Sequence, residues 1–345
     1  MKHFYIIDKN GNDVVKNLTG HCVDCFKSCN SVGRTVECSL YKQQFRYGKI
    51  TNSKSITFLC DTTKTTKLFR EKLEALSYAY YDLVIAKEEI EQKIKIVEQK
   101  KVNRLIHNLS SINAHNLQSI YDIIPQEQLS SNWQNQNVHI EKEIKRNTDK
   151  IAKAFLQLEK NAIRARSEFS VYRKLDRDEK SELDFKSLKI HSVLLNVFHT
   201  FFYDFLNIKV YINISEYFGK VKIDYETIQV ALYHLIENAA KYIKKGSHFS
   251  IWFEEDNQSF VKVNFKMTSI FVAPDERKSI FEEGVSGSIA KKIKKSGDGI
   301  GMWRIGQMVK LNNGEFFASF GDKTENINGC DYAENTFTLV LMKGV

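Results

Sequence analysis

An apolar residue recurs every seven positions at Phe69, Leu76, Leu83, Ile90 and Val97. A seven-residue repeat commits the stretch to a helix whose apolar seam another helix must cover. That helix is expected to run from about Thr66 to about Ile124, where Pro125 stops it. A second series, Ile144, Ile151, Leu158, Ala165 and Tyr172, follows a polar connection, QEQLSSNWQNQN. Two long helices joined by a polar loop make an antiparallel hairpin, assigned to residues 66–184. Each helix carries more apolar surface than one partner covers, so a homodimer closing a four-helix bundle is expected. Pro125 and Pro274 are the only prolines in 345 residues. That is far below the usual ~5% and leaves room for long helices.

Residues 1–65 read as a small separate module. HFYII and SITFL suggest short strands, and DKNGND and CNSVGRT suggest turns. The segment HCVDCFKSCNSVGRTVEC spaces Cys22, Cys25, Cys29 and Cys38 as C-x2-C-x3-C-x8-C. The first pair has metal-ligand spacing, and four thiolates suit Zn²⁺ or an Fe–S cluster, with His21 able to replace one ligand. The alternative is a set of free or buried thiols. In a reducing compartment such a cluster points to metal or redox chemistry before disulfides. The opening MKHFYIIDKN has too short an apolar run for a signal peptide. HSVLLNVFHTFFYDFLNIKVYI carries two His, an Asp, a Lys and two Asn, too polar for a bilayer span. A cytoplasmic protein with no membrane partner is expected. The net charge of +9 suits nucleic acid, a membrane surface or an anionic small ligand without choosing among them.

Residues 185–345 read as an α+β domain, with Val210, Ile212 and Ile214 alternating as a strand and SIWFEEDNQSFVKVNF as a hairpin turning at Asp256-Asn257. NTFTLVLM reads as the closing strand. DYETIQVALYHLIENAAKYIKKG is punctuated as a helix, with Asp224 at its start and Gly246 after its end. Its apolar stripe is Ile228, Leu232, Leu235, Ala239 and Ile243. His234, Asn238 and Lys241 fall on another face, roughly 135° away. An amide oxygen, an ammonium and an imidazole side by side can hold hydrated Mg²⁺ and phosphate oxygens; the alternative is an ordinary solvated face. Downstream, SGDGIGMWRIGQMV sets Gly297, Gly299 and Gly301 at alternate positions before a helix, where backbone can approach phosphates. Before it, IFEEGVSGSIAKKIKKSG has two apolar anchors, Ile280 and Phe281, then a basic Gly/Ser-rich stretch that suits a lid.

This order resembles the ATP-binding domain of sensor histidine kinases, within the wider superfamily of gyrase- and Hsp90-type (GHKL) ATPases. HLIENAAKY looks like the N box, IFEEG like the F box and GDGIGM like the G2 box. The resemblance implies an α/β sandwich over residues 185–345, with ATP and Mg²⁺ as cofactors. It makes Asn238 the Mg²⁺ ligand, Lys241 a phosphate contact and Tyr242 a wall near the nucleotide. Two departures stand out. Met267, Ser269 and Phe271 occupy the D-x-G-x-G positions of the G1 box, so the Asp that bonds the adenine amino group is missing. Weaker ATP binding and reduced discrimination against GTP are expected. His234 stands where the superfamily's ATPases carry a Glu, which disfavours simple hydrolysis and favours transfer to a residue.

HNLSS, residues 107–111, resembles the family's H box, with Asn108 replacing the acid after the histidine. Around the helix, Leu105, Leu109 and Ile112 lie opposite His107, while Lys100, Arg104, Asn108 and Ser111 share its side. His107 is therefore the candidate phosphoacceptor, with His115 as rival. Asn108 can orient the imidazole but cannot take its proton. The chain reads as a homodimeric cytoplasmic histidine kinase passing its phosphoryl group to a separate response regulator. A pseudokinase acting as a nucleotide-dependent switch is the second reading. A GHKL ATPase associated with nucleic acid is the third, although a nucleic-acid partner is not expected.

Overall fold

The computed structural model describes residues 2–30, 32–131, 133–176, 183–256, 259–293 and 298–344, without the side chains of residues 2 and 80–85. Gly297, Asn257 and the side chain of Leu83 therefore lie outside the described residues. The chain divides into two compact units, residues 1–100 and 101–345.

In the first unit β1 (Lys2–Asp8), β2 (Asp13–Asn17), α1 (Gly20–Ser28), β3 (Val32–Cys38), β4 (Gln43–Thr51) and β5 (Ser55–Asp61) follow in order. The strands form one antiparallel sheet in the order β2-β1-β5-β4-β3. HFYII and SITFL are neighbouring strands, as expected. The CNSVGRT stretch differs from the expected turn: Val32 already opens β3, whose partner β4 supplies its hydrogen bonds. The long helix α2 (Thr66–Tyr121) begins where the repeat begins and ends three residues short of Ile124. Its first turns do not wait for a helical partner. Phe69 and Leu73 are buried against Leu59 of the sheet, with Phe4, Ile50 and Leu76 around them. The boundary between the two compact units falls inside α2, after Lys100. Further along, Ile90, Ile94, Ile96 and Val97 are each more than half exposed.

The second unit starts with the remainder of α2. The expected polar loop is largely helical: α3 (Gln126–Ser131), a short 3₁₀ turn and α4 (Gln136–Arg146) precede α5 (Thr148–Val171). Pro125 opens α3 instead of only closing α2, because its carbonyl accepts from Gln128 and its missing N–H costs nothing at a helix start. Asn108 donates to Glu168, and Asn161 donates to Asn116. These pairings run the two helices antiparallel.

Beyond a π turn at Tyr172–Asp176 come β6 (Phe185–Lys189), α6 (Ile190–Phe198), α7 (Phe202–Asn207), β7 (Tyr211–Ile214), β8 (Lys220–Asp224) and α8 (Tyr225–Tyr242). Then follow β9 (His248–Glu255), β10 (Phe260–Ile270), α9 (Ser288–Lys292), α10 (Gly301–Leu311), β11 (Glu315–Ile327) and β12 (Cys330–Met342). The main sheet runs β11-β12-β10-β9-β7, antiparallel except for β7 beside β9; β6 and β8 pair separately. Ile228, Leu232, Leu235 and Ala239 of α8 share one core with Val261, Val263 and Phe265 of β10 and with Leu339 and Leu341 of β12. That is a helical layer on a sheet, as alternate apolar strand residues and a helical stripe require. The apolar stretch from His191 folds as α6 and α7, and Phe198, Phe201 and Phe205 enter the same core. No helix among the described residues is long and apolar enough to cross a membrane.

The start of α8 fixes where its polar face points. The Asp224 carboxylate accepts from the Thr227 amide and hydroxyl and from the Asp184 amide, each at 2.9 Å. Asn312 locks the same corner, accepting from the Asp224 amide and donating to Thr227. Asp224→Ala is expected to lower unfolding free energy by about 2 kcal/mol, the upper range for a helix cap. Urea denaturation followed by circular dichroism measures it.

Candidate functional site

The polar face of α8 opens into a cavity of about 350 Å³ in the second unit. His234, Asn238, Lys241 and Tyr242 line it, and so do Gly299 and Gly301 of the glycine-rich segment. Helix periodicity sets the first group, because the stripe of α8 one-third of a turn away is buried in the core. Gly299 is required at its position. Its φ is +70°, and a Cβ there would lie 2.6 Å from the backbone of Gly284 and Val285. That contact carries a hydrogen bond from the Gly284 amide to the Gly299 carbonyl, 3.2 Å. Gly301 opens α10 directly on Asn238, where a Cβ would stand 3.2 Å from Nδ2. The first turn of α10, where a helix leaves N–H groups without intrahelical partners, thus faces the amide that the sequence assigns to a cation. Asn238 Nδ2 donates to Met302 Sδ at 3.6 Å, which leaves the amide oxygen as an acceptor.

Ile280 of the IFEEG anchor is buried and lines the cavity; Phe281 packs edge-on against Phe316. Val285, Ser286 and Gly287 continue the wall, and Glu276 accepts from the amide and hydroxyl of Ser288. Met267, Ser269 and Phe271 also line the cavity.

The sequence reading missed the charged end of this cavity. Glu168 of α5 and Arg304 of α10, 6% and 2% exposed, form a two-pronged ion pair at 2.7 and 3.0 Å. Glu168 also accepts from Asn108 Nδ2 at 3.0 Å. Arg304 Nη1 approaches His234 Nε2 at 3.5 Å, and His234 Nδ1 lies 3.5 Å from Glu237. Arginine can only donate, so Nε2 is the acceptor of its contact. Burial pushes the Glu168 carboxyl up, but donation and charge from Arg304 and the Asn108 amide outweigh it. Its value therefore lies below that of an ordinary glutamate. A single buried cation in the apolar stretch GIGMWRIG was the available signal, since an unpaired arginine is not tolerated in a core.

The acceptor candidates lie on the first of the paired helices. His107 and His115 are exposed, whereas Ile112 is buried. Asn108, one residue from His107, is itself part of the cavity wall. Arg104 adds an ion pair to Glu283 of the IFEEG segment, 2.8 Å. His107 is not among the cavity-lining residues.

The cysteines of the first unit do not all line one cavity. In the first unit Cys22, Cys25, Cys38 and Cys60 line a separate cavity of about 430 Å³, with His3 and His21. Cys29 does not; it is fully buried. Strand pairing brings Cys60 of β5 into the group, a long-range contact invisible to local spacing. All six cysteines are free thiols. Among the described residues no three His, Cys, Asp or Glu side chains gather closely enough to hold a metal ion.

No family model matches the sequence, and no curated protein matches it. Solved structures do align. A mycobacterial sensor histidine kinase, MprB, is 15% identical over 46% of this chain and 98% of its own, with a TM-score of 0.38. The Acinetobacter baumannii histidine kinase AdeS is 15% identical over 70% of this chain and 98% of its own, TM-score 0.39. Full-length ShkA, solved in complex with AMPPNP, is 16% identical over 57% of this chain, TM-score 0.41. This chain spans 40% of the length of ShkA.

Removing one partner of the buried ion pair exposes its role. Glu168→Ala leaves Arg304 uncompensated and is expected to cost about 3–5 kcal/mol, whereas Glu168→Leu with Arg304→Met should recover most of that loss. Because the folded-state value of Glu168 is lowered, its contribution is complete above the unfolded value. It disappears as pH falls through the folded one. Thermal melts of the three proteins between pH 3 and pH 7 test both statements.

Proposed function

We propose that the cavity on α8 binds ATP with Mg²⁺ and that the chain is a histidine kinase of the two-component type. The observation that carries this reading is the joint wall: Asn238, Lys241 and Gly301 share one cavity with Asn108, the neighbour of His107. The residues fit the nucleotide. Asn238 keeps an amide oxygen for the cation, and Lys241, Arg164 and the start of α10 offer donors for the phosphates. Bound Mg²⁺ would neutralise the phosphates and polarise the γ-phosphoryl group.

In the proposed reaction an imidazole nitrogen of His107 attacks the γ-phosphorus. The bond from that phosphorus to the β,γ-bridging oxygen breaks, and ADP leaves. The imidazole N–H proton passes to water, since Asn108 has no basic site and its amide is already committed to Glu168. His107 must approach the cavity from its exposed position, so a shift of the acceptor helix, or a second copy's His107, completes the site. A homodimer is the proposed assembly, supported by the exposed Ile90, Ile94, Ile96 and Val97. An aspartate of a separate response regulator would then take the phosphoryl group in the cytoplasm.

A nucleotide-dependent switch without transfer is the second reading. It is favoured by the Glu168–Arg304 clasp, which ties the helix carrying the acceptor's partner to the start of the glycine-rich helix.

Radiolabelled ATP separates the two. The wild type is expected to acquire label that is labile to acid and stable to base, and His107→Gln to lose it. Asn238→Ala should abolish labelling while melting within a few degrees of wild type, since Asn238 lies outside the core. Labelling of a folded Asn238→Ala protein at the wild-type rate would remove the assignment of α8. Light scattering at micromolar concentration should give twice the mass of one chain; a monomer would remove the bundle.

A further inference from the structure

We infer that Asn335 supplies the acceptor that selects adenine, in place of the carboxylate missing from position 267. The inference rests on the nucleotide reading of the cavity and goes beyond it by naming the base and the atom that reads it.

Asn335 sits on β12 directly opposite Met267 of β10 in the antiparallel ladder. It lines the cavity and is 1% exposed. Its amide is held from one side only. Nδ2 donates to Ser269 Oγ at 2.9 Å and to the Ile270 carbonyl at 3.2 Å. A backbone carbonyl can only accept, so the two ends of the amide cannot be exchanged. That leaves Oδ1 buried with no hydrogen-bond partner among the described residues. A buried carbonyl oxygen without a donor carries a desolvation cost that a ligand can remove.

The neighbouring group completes a pattern. The Ser269 hydroxyl accepts from Asn335 and so keeps its own hydrogen to donate. An acceptor at Asn335 beside a donor at Ser269 matches the edge of adenine. The 6-amino group of adenine donates and its N1 accepts. Guanine reverses both: O6 accepts and N1 carries hydrogen. The pair therefore takes a purine bearing a 6-amino group and meets a 6-oxo purine with one acceptor against another. Met267 contributes only apolar wall and a weak sulfur acceptor. On this inference ATP is preferred over GTP, the opposite of the reduced discrimination expected from the sequence.

The test is calorimetric titration with Mg²⁺ and three triphosphates: ATP, GTP, and purine riboside triphosphate, which lacks the 6-amino group. Wild type should bind ATP about tenfold tighter than either of the others, as loss of one hydrogen bond to a buried acceptor implies. In Asn335→Leu, which keeps the volume and removes the acceptor, the three affinities should fall within about threefold of one another, and a melt checks that the variant is folded. Equal binding of ATP and the 6-deamino analogue by wild type overturns the inference without any variant. So does a folded Asn335→Leu that keeps the ATP preference. Wild type that binds no triphosphate overturns the nucleotide reading itself, and this inference with it, a result distinct from binding without preference.

Discussion

The ion pair between Glu168 and Arg304 is the constraint on which the second unit depends. A guanidinium and a carboxylate taken out of water cost several kcal/mol each unless they meet in good geometry with further hydrogen bonds. Here the two-pronged contact, the Asn108 amide and the His234 imidazole provide that surrounding. The pair joins α5 to α10 across 136 residues of sequence. It ties the paired helices to the layer that carries the cavity, on the same inward side of α10 that buries Ile305, Met308 and Val309. Gly301 and the first turn of that helix reach Asn238 as a consequence.

The same pair gives the site its division of labour. Its wall combines apolar groups such as Met267 and Ile280 with the cations Lys241 and Arg164 and the start of α10, and on the proposed reading the former suit a flat base and the latter phosphates. The C-terminal half of α8 supplies His234, Glu237, Asn238, Lys241 and Tyr242 to the same wall. Arg304 donates to Glu168 from both terminal nitrogens, while its Nε is buried with no partner among the described residues. Its positive charge therefore organises the wall and is not free to act as a mobile phosphate clamp.

What was legible in the sequence was local or periodic. The stripe of α8, its Asp224 cap, the alternation of β7 and the start of α2 at Thr66 follow from spacing alone. What was not legible depended on partners far along the chain. Phe69 belongs to the heptad series, yet it is spent on a sheet that only tertiary structure brings near. The polar segment after Pro125 is helical because its glutamines and lysines extend helices readily, and the absence of apolar periodicity concealed that. Cys60 joins Cys22, Cys25 and Cys38 through strand pairing, and Cys29, correctly spaced in sequence, turns into the core. Glu168 and Asn335 carry no motif at all; only burial and the inventory of their hydrogen bonds single them out.

The facing positions Met267 and Asn335 also bear on how such a chain can drift in sequence. Two residues across one ladder can each present an oxygen to the same spot, so an acid at the first and an amide at the second are redundant. A lineage holding both can lose either without a generation in which the base goes unread. Were an acid to stand at 267, either group could be exchanged for a residue that only fills space while the other kept an oxygen on that face of the sheet. A short sequence motif and the atom that does its work need not then share a strand.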